Sequence, residues 1–309
     1  MRSRLHGFLA PLFPAEDDGW LTILRVGLGL QVTAYTLSAR ADWHELYSSS
    51  GQGLINRELS EAFLDVQSPL APRLGWLVSI GKHVCLSEQA VLWLAWACLL
   101  GAGILTVLGC FSRLSAVVAW FLHLSAVKSE QFLSYGMDNF TTIGLFYLML
   151  SPLPDKYSFD GILRGKASKR GSLLGFYRRI LQIHLCFIYF FSGIAKCTGA
   201  EWWNGTAMWQ IFTSPPFNLV SPNVVASSAY LLPLLGIGIC LLEIGYPVFI
   251  WPKITRKIWL SCIVGMHLIV ALTMGLYLFS FIMIVLNSAG FAPIPDSAKV
   301  KDVFGRTFS

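Results

Sequence analysis

The sequence predicts an all-α fold, a polytopic bundle of about eight transmembrane helices. Hydrophobic residues make up 55% of the 309 residues, charged residues make up only 13%, and the mean hydropathy is +0.60. A soluble domain with this composition would be hard to keep in solution. A helix needs about 20 apolar residues to cross a hydrocarbon core of about 30 Å, and the chain has several such runs.

Hydropathy orders the predicted spans along the chain. The first six are predicted near residues 20–39, 90–110, 114–134, 139–153, 178–196 and 230–250. The uncharged stretch 258–290 is too long for one crossing, so we expect two helices joined near Gly275. Residues 1–309 are predicted to form a single transmembrane domain with short tails, and the long loop 40–89 can hold an interfacial helix.

The distribution of Lys and Arg predicts the orientation of the chain. The segment after the fourth predicted span is rich in both residues, whereas the loop 197–229 contains neither. We therefore expect the former in the cytoplasm, with both termini, and the latter outside. The loop 40–89 falls outside despite four basic residues, because the rule weakens in long loops. The predicted localisation is the cell membrane, as a multi-pass protein.

Charge and cysteine usage exclude several other classes of protein. The net charge of +6 comes from basic residues beside hydrophobic runs, which indicates topology signals and no binding of nucleic acid. The seven cysteines include no CxxC pair and no zinc-like spacing, so neither a disulfide framework nor a metal site is predicted. The N-terminus lacks the pattern of a cleavable signal peptide.

Two ionisable residues inside predicted spans require partners. Arg25 lies early in the first span, and Glu243 lies in a run without another charge. A charge in the bilayer interior is costly unless it is paired, so such residues mark either a functional site or an ion pair. We predict that Arg25 and Glu243 belong to a structural ion pair, and the cations available to Glu243 are Arg25 and Lys196.

The strongest local signal runs from Tyr189 to Gly205. A helix would place four of these residues on one face: Tyr189, Ser192, Gly193 and Lys196. The small residues let a ligand or a neighbouring backbone come close. Trp202 and Trp203 follow at the predicted outer interface. This spacing is also typical of a snorkelling lysine with an aromatic belt, so both interpretations remain open.

Other polar residues inside or between the spans are weaker candidates. His184 and His267 lie in the middle of spans, where a neutral imidazole bonded to a backbone carbonyl is the usual outcome. No carboxylate follows them at ligand spacing, so a metal site is not indicated. Asp138 and Asn139 lie at the junction of the third and fourth spans, which is equally typical of a hydrated loop.

The chain resembles the HTTM family, the horizontally transferred transmembrane domain, whose best-known member is the vitamin K-dependent gamma-glutamyl carboxylase. The segment from Tyr189 to Gly205 is the most specific part of this resemblance. Weaker similarities lie in Asp18 to Gly27, in Lys156 to Gly161, around Glu243, and from His267 to Phe281. Together they extend over almost the whole chain.

The resemblance implies a lysine base and a quinol. Lys196 stands where the carboxylase has the lysine that deprotonates vitamin K hydroquinone, and epoxidation follows. On this basis the expected cofactor is a quinol such as menaquinol or vitamin K hydroquinone, without a metal. The expected substrate-binding residues are Tyr189, Ser192, Gly193, Trp202, Trp203, Asp138, Asn139 and His267. The carboxylase has a functional histidine near the fourth span, whereas this chain has Asp138 and Asn139 there. We also expect this chain to be without the large lumenal domain of the carboxylase.

A second branch of the family implies a different function. Short bacterial members resemble the membrane component of sporulation-delaying toxin systems, which works with partner proteins in maturing or exporting a secreted peptide. A non-catalytic membrane scaffold is the third alternative. The expected partners are therefore membrane lipid, a hydrophobic quinone or a secreted peptide, and a soluble partner protein, with no nucleic acid.

Overall fold

The computed structural model describes residues 13–50, 56–130, 132–165, 170–216 and 219–293. Helices dominate this part of the chain, and the strands β1 (Glu16–Asp17) and β2 (Arg170–Gly171) form a short antiparallel pair. The predicted all-α class is confirmed. The chain divides into two compact units. We call Leu21–Lys169 the central unit, and Met1–Trp20 with Arg170–Ser309 the terminal unit. The prediction of a single domain stays a prediction.

The central unit contains eight helices within the described residues. In chain order these are α1 (Gly19–Ser38), α2 (Trp43–Tyr47), α3 (Arg57–Gln67), α4 (Leu74–His83), α5 (Glu88–Leu108), α6 (Ser112–Ser129), α7 (Gly136–Leu150) and α8 (Phe159–Leu163). Helix α1 begins two residues before the unit does. The predicted loop 40–89 is largely helical, because it contains three short helices, α2 to α4, where we expected one.

The terminal unit contains seven α-helices within the described residues. They are α9 (Ser172–Cys197), α10 (Ala200–Trp203), α11 (Thr206–Thr213), α12 (Pro222–Ser227), α13 (Leu232–Phe249), α14 (Lys253–Met274) and α15 (Tyr277–Phe291). A short 3-10 turn, Ala229–Leu231, leads directly into α13. The three short helices α10 to α12 occupy the predicted outer loop 197–229.

Every predicted span coincides with a helix. Gly275 separates α14 from α15 and adopts a left-handed φ of +70°, so the predicted break is confirmed. Four helical segments of the described chain are long and apolar enough to cross a membrane: Glu88–Leu108, Ser172–Cys197, Ala229–Phe249 and Lys253–Met274. The total of eight crossings stays a prediction.

A buried arginine ties together the helix ends of the central unit. Arg25 is only 1% exposed, and its Nε lies 2.5 Å from Oδ2 of Asp155. Its Nη1 donates to the carbonyl oxygens of Thr106 and Val107 in the last turn of α5. Such carbonyls lack partners within their own helix, so the guanidinium satisfies them while the carboxylate balances its charge. Arg25 is thus in a structural ion pair, but its partner is Asp155.

Asp160 of α8 also forms hydrogen bonds to the turn between α5 and α6. Asp160 accepts hydrogen bonds from the backbone N–H groups of Phe111 (3.0 Å) and Ser112 (2.7 Å), and from the Ser112 hydroxyl (2.9 Å). This carboxylate therefore caps the start of α6 from a distant part of the sequence. Burial opposes ionisation, but these hydrogen bonds and Arg164 hold the pKa of Asp160 below its ordinary value of 3.8.

We predict that Asp160→Ala lowers the free energy of unfolding by about 1 kcal/mol, as loss of a helix cap does. Because folding lowers the pKa of Asp160, its contribution is complete above pH 3.8 and is lost as the pH falls through the folded-state pKa. Thermal unfolding in detergent at neutral and acidic pH measures both effects. Glu58→Ala changes an exposed acid of α3 and is the control. Equal melting of the two variants at neutral pH would contradict the capping role.

In the terminal unit, a second buried arginine binds the carbonyl oxygens at the end of a helix, as Arg25 does in the central unit. Arg178, in the second turn of α9, donates to the carbonyl oxygens of Ala289, Gly290 and Ala292 at distances of 2.8–3.2 Å. Its Nη1 also lies 2.9 Å from Oε2 of Glu16, beside β1. The end of α15 is thereby fixed against the start of α9, which sets the register of two of the four helices that carry the site described next.

Candidate functional site

The polar face predicted on α9 is confirmed as part of one continuous helix. At its centre, Gly193 faces α13 so closely that an added Cβ atom would lie 2.8 Å from the backbone nitrogen of Ile244 and 3.1 Å from Cβ of Glu243. The small residue therefore lets a neighbouring backbone approach, which is one of the two roles its position allowed. This close approach brings Glu243 to the lysine one turn further along α9. Substrate binding by Gly193 stays a prediction.

Lys196 and Glu243 form an ion pair between α9 and α13. Lys196 Nζ donates to Glu243 Oε2 at 2.7 Å and to the Ser192 hydroxyl at 2.5 Å. Its Nζ also lies 5.5 Å from the centroid of the Trp202 ring, in a cation–π arrangement. The side chain of Lys196 is 22% exposed and that of Glu243 is 7% exposed. The cation therefore lies at the accessible edge of the site, and the carboxylate lies inside.

The predicted pairing of Arg25 with Glu243 is wrong. Each residue is in an ion pair, but Arg25 pairs with Asp155 and Glu243 pairs with Lys196. Asp155 lies in the basic segment after the fourth predicted span. Charged residues are common in such a loop, so hydropathy does not indicate that this acid needs a partner. Lys196 was already an available partner for Glu243, and the approach of α13 at Gly193 selects it.

A buried network of hydrogen bonds continues from Tyr189 on the same face of α9. The Tyr189 hydroxyl lies 2.9 Å from Nε2 of His267 on α14, and Asn287 Nδ2 of α15 donates to it at 2.8 Å. The Tyr246 hydroxyl of α13 donates to Asn287 Oδ1 at 2.7 Å, and the two tyrosine rings stack with centroids 4.3 Å apart. All four side chains are at most 3% exposed. Four helices thus contribute to one polar core.

The ion pair and the network share two helices. On α9, Lys196 and Tyr189 are separated by two helical turns with Ser192 between them, and on α13 Glu243 precedes Tyr246 by one turn. Together they present a base, an acid, a hydroxyl, an imidazole and an amide within otherwise apolar helices. Such a set can accept, hold and return a proton. Within the described residues, no cluster of three or more His, Cys, Asp or Glu has the arrangement of a metal site.

Three predicted site residues lie outside this arrangement. Trp203 is 45% exposed, and its indole N–H donates to the Cys197 carbonyl oxygen at 2.8 Å. Asp138 belongs to the central unit, where its Oδ2 accepts from the backbone N–H of Tyr135 at 2.9 Å and caps α7. Asn139 is exposed next to it. Substrate binding by these residues stays a prediction.

Sequence analysis missed Tyr246 and Asn287. Both lie in apolar runs, and neither has a charged residue within two positions. The charged residue nearest to Tyr246 in sequence is Glu243, three residues earlier. A signal was nevertheless present, because an asparagine in a run of about 20 apolar residues needs a hydrogen-bond partner in the membrane.

Comparison with known protein families shows the family to which the chain belongs. The family model described as HTTM domain matches residues 80–293, which include α5 to α15 with the whole site. The chain belongs to the HTTM family. Its curated relative "Uncharacterized protein YitO" from Bacillus subtilis (strain 168) is 26% identical over 211 residues, which cover 64% of this chain and 67% of that protein. No solved structure matches this HTTM chain significantly. The family and the apolar helices make it a membrane-embedded protein.

We predict that Gly193→Ala destabilises the HTTM protein by about 1–3 kcal/mol, because the new methyl group must displace the backbone of α13. Gly238→Ala is the matched control, since Gly238 lies on α13 with no atom within 4 Å of an added Cβ. It should leave stability unchanged or raise it, because alanine favours helices more than glycine does. Thermal unfolding in detergent gives the comparison. Equal effects of both substitutions would show that α9 and α13 are not closely packed at Gly193.

We also predict that Lys196 and Glu243 are energetically coupled. Lys196→Met leaves a buried carboxylate without its cation and should cost about 3–5 kcal/mol, whereas Glu243→Gln should cost less because the lysine can reach solvent. The double variant should be more stable than Lys196→Met alone. Unfolding of all four proteins in detergent forms a double-mutant cycle. Additive losses would show that the two charges do not interact.

Proposed function

We propose that this HTTM protein is a multi-pass membrane enzyme that oxidises a hydroquinone, with Lys196 as the base at the outer interface. The observation that carries the proposal is the Lys196–Glu243 pair at 2.7 Å, because it places a proton acceptor and a proton store at the accessible edge of a buried polar site. The coincidence of Lys196 with the lysine of the resembling carboxylase supports the same role.

The pair explains how a lysine can act as a base near neutral pH. Only the uncharged amine accepts a proton. Transfer of one proton from Lys196 to Glu243, whose Oε2 lies 2.7 Å from Nζ, would produce that amine and leave both groups neutral. The amine can then take the proton of a hydroquinone hydroxyl. Ser192, which accepts a hydrogen bond from Nζ at 2.5 Å, holds the nitrogen in place.

The surroundings of the pair suit a hydrophobic quinol such as menaquinol or vitamin K hydroquinone. Phe187 and Phe191 are more than half exposed on the side of α9 away from Lys196, so the helix that carries the lysine offers apolar surface to an isoprenoid tail in the lipid. The Trp202 indole beside Lys196 offers a flat partner for the quinol ring. A bound hydroquinone would give four electrons to dioxygen, two in reaching the quinone level and two in epoxidation of its ring double bond; one oxygen atom then lies in the epoxide, and the other leaves as water with the two hydroxyl hydrogens.

The positive charge of the loops supports the orientation in which Lys196 lies on the outer side and both termini lie in the cytoplasm. Partner-dependent maturation of a secreted peptide would use the same outer end of α9. The two functions differ in their demand on Lys196, because a base must lose its proton and a binding cation must keep it. Arginine separates them, since its guanidinium stays charged.

We predict epoxide formation when membranes containing the protein receive a chemically reduced menaquinone or vitamin K and dioxygen. Lys196→Met and Lys196→Arg should each lower the rate by about 10²–10⁴-fold, as the loss of a positioned base does. Liquid chromatography with mass spectrometry measures the epoxide. Lys257→Met, which removes an exposed lysine near the start of α14, is the control and should leave the rate unchanged.

Two results would reject the proposed reaction. The first is absence of epoxide with both reduced quinones when the wild-type protein is folded and monodisperse in detergent. The second is retention of the rate by Lys196→Arg, which would identify a binding cation and favour the peptide-processing branch of the family.

A further inference from the structure

Two cysteines lie next to the proposed base. Cys197 is the last residue of α9 and follows Lys196 directly, and Cys240 lies on α13 one turn before Glu243. The Cys240 thiol makes a side-chain hydrogen bond with the Cys197 thiol, and both cysteines are free. We propose that these two cysteines form a redox-active pair, which reduces a bound quinone to its hydroquinone and becomes a disulfide. The inference rests on the proposed function, because it assigns a quinone to the same site.

Close packing on both sides of the cysteines brings α13 within reach of a disulfide with α9. An added Cβ atom on Gly193 would lie 3.1 Å from Cβ of Glu243, whereas the two Cβ atoms of a disulfide lie about 3.5–4.5 Å apart. Beyond the end of α9, an added Cβ atom on Gly236 of α13 would overlap the carbonyl oxygen of Trp202. These two contacts hold α13 close to the end of α9, where Cys197 lies.

The register of the two helices makes Cys197 and Cys240 facing residues. Helices α9 and α13 are antiparallel, and Gly193 packs against Ile244. One turn further along α9, Gly193 is followed by Cys197. One turn earlier on α13, Ile244 is preceded by Cys240. The contact between the thiols therefore follows from the same packing that forms the ion pair of the site.

The two thiols differ in exposure, which gives them different roles. Cys197 is partly exposed beside Lys196, so a quinone at the accessible edge of the site can reach its sulfur. Cys240 is 0% exposed, so it reacts through the sulfur of Cys197. An accessible thiol that attacks, with a second thiol behind it that resolves the adduct, is the arrangement that such a reaction requires.

The reaction transfers two electrons and two protons to the quinone. The Cys197 thiol gives its proton to the uncharged Lys196 amine, and its sulfur forms a bond to a ring carbon of the quinone. The Cys240 sulfur then attacks the Cys197 sulfur, so an S–S bond forms, the S–C bond breaks and its electron pair stays on the ring. The two thiol protons end on the two quinone oxygens. The products are one disulfide and one hydroquinone, which is the substrate of the proposed oxidation.

Oxidation of the wild-type protein with diamide tests the geometry without a quinone and without a substitution. Diamide takes one hydrogen from each of two neighbouring thiols and leaves a disulfide. Peptide mapping by mass spectrometry, without reduction, should find Cys197 linked to Cys240. Cys98 and Cys262, which are exposed on other helices, should remain thiols. Absence of the link between Cys197 and Cys240 in a monodisperse protein would overturn the proposal.

Reduction of menaquinone without dioxygen tests the reaction itself. After treatment with dithiothreitol and removal of this reagent, the wild-type protein should convert about one menaquinone per chain to the hydroquinone. Cys197→Ala and Cys240→Ala should each lower this yield at least about tenfold, because a single thiol cannot form the disulfide. Cys98→Ala and Cys262→Ala remove exposed thiols of other helices and should retain the yield. Retention by Cys197→Ala or Cys240→Ala would contradict the redox-active pair.

Epoxide formation by the wild-type protein from chemically reduced menaquinone and dioxygen is measured separately, because it needs no electrons from the thiols. Epoxide formation without reduction of menaquinone would overturn the cysteine pair and leave the proposed function intact. Reduction of menaquinone without epoxide formation would support the pair and reject the proposed oxidation.

Discussion

The cost of an unpaired charge in hydrocarbon governs how the helices of each unit meet. Arg25 is balanced by Asp155, Arg178 by Glu16, and Lys196 by Glu243. In each case the partners come from segments far apart in sequence, so each pair fixes a tertiary contact. Removing one partner would leave a charge without compensation, which makes these contacts more restrictive than apolar packing alone.

The two arginines and the lysine meet this constraint in different ways. Arg25 and Arg178 also donate to carbonyl oxygens in the last turns of α5 and α15, and five-donor guanidinium groups suit several acceptors at once. Lys196 has fewer partners, keeps an accessible side chain and can lose its proton. The guanidinium groups therefore serve structure, whereas the role proposed for Lys196 requires an ammonium group, because a guanidinium group stays charged.

Sequence reasoning located the helices well because their signal is local. Runs of apolar residues and the glycine at 275 define α9 and α13 to α15 without knowledge of the fold. Pairing was less predictable: nothing near Asp155 indicates that it binds Arg25, 130 residues away. The lysine, its face of α9 and Glu243 were found, whereas the role of Asn287 depends on contacts from two other helices, α9 and α13, that no local pattern describes.

The junction at Asn287 gives the buried network a direction. Its amide nitrogen donates to the Tyr189 oxygen and to the Met283 carbonyl, while its oxygen accepts from Tyr246. In the tautomer with the imidazole hydrogen on Nδ1, Tyr189 donates its own hydrogen to Nε2 of His267. A second proton on the ring would leave two donors facing each other and would oblige the tyrosine hydroxyl to rotate. The direction of the hydrogen bond at Tyr189, on the helix that bears the lysine, is therefore coupled to the tautomer of a histidine on α14.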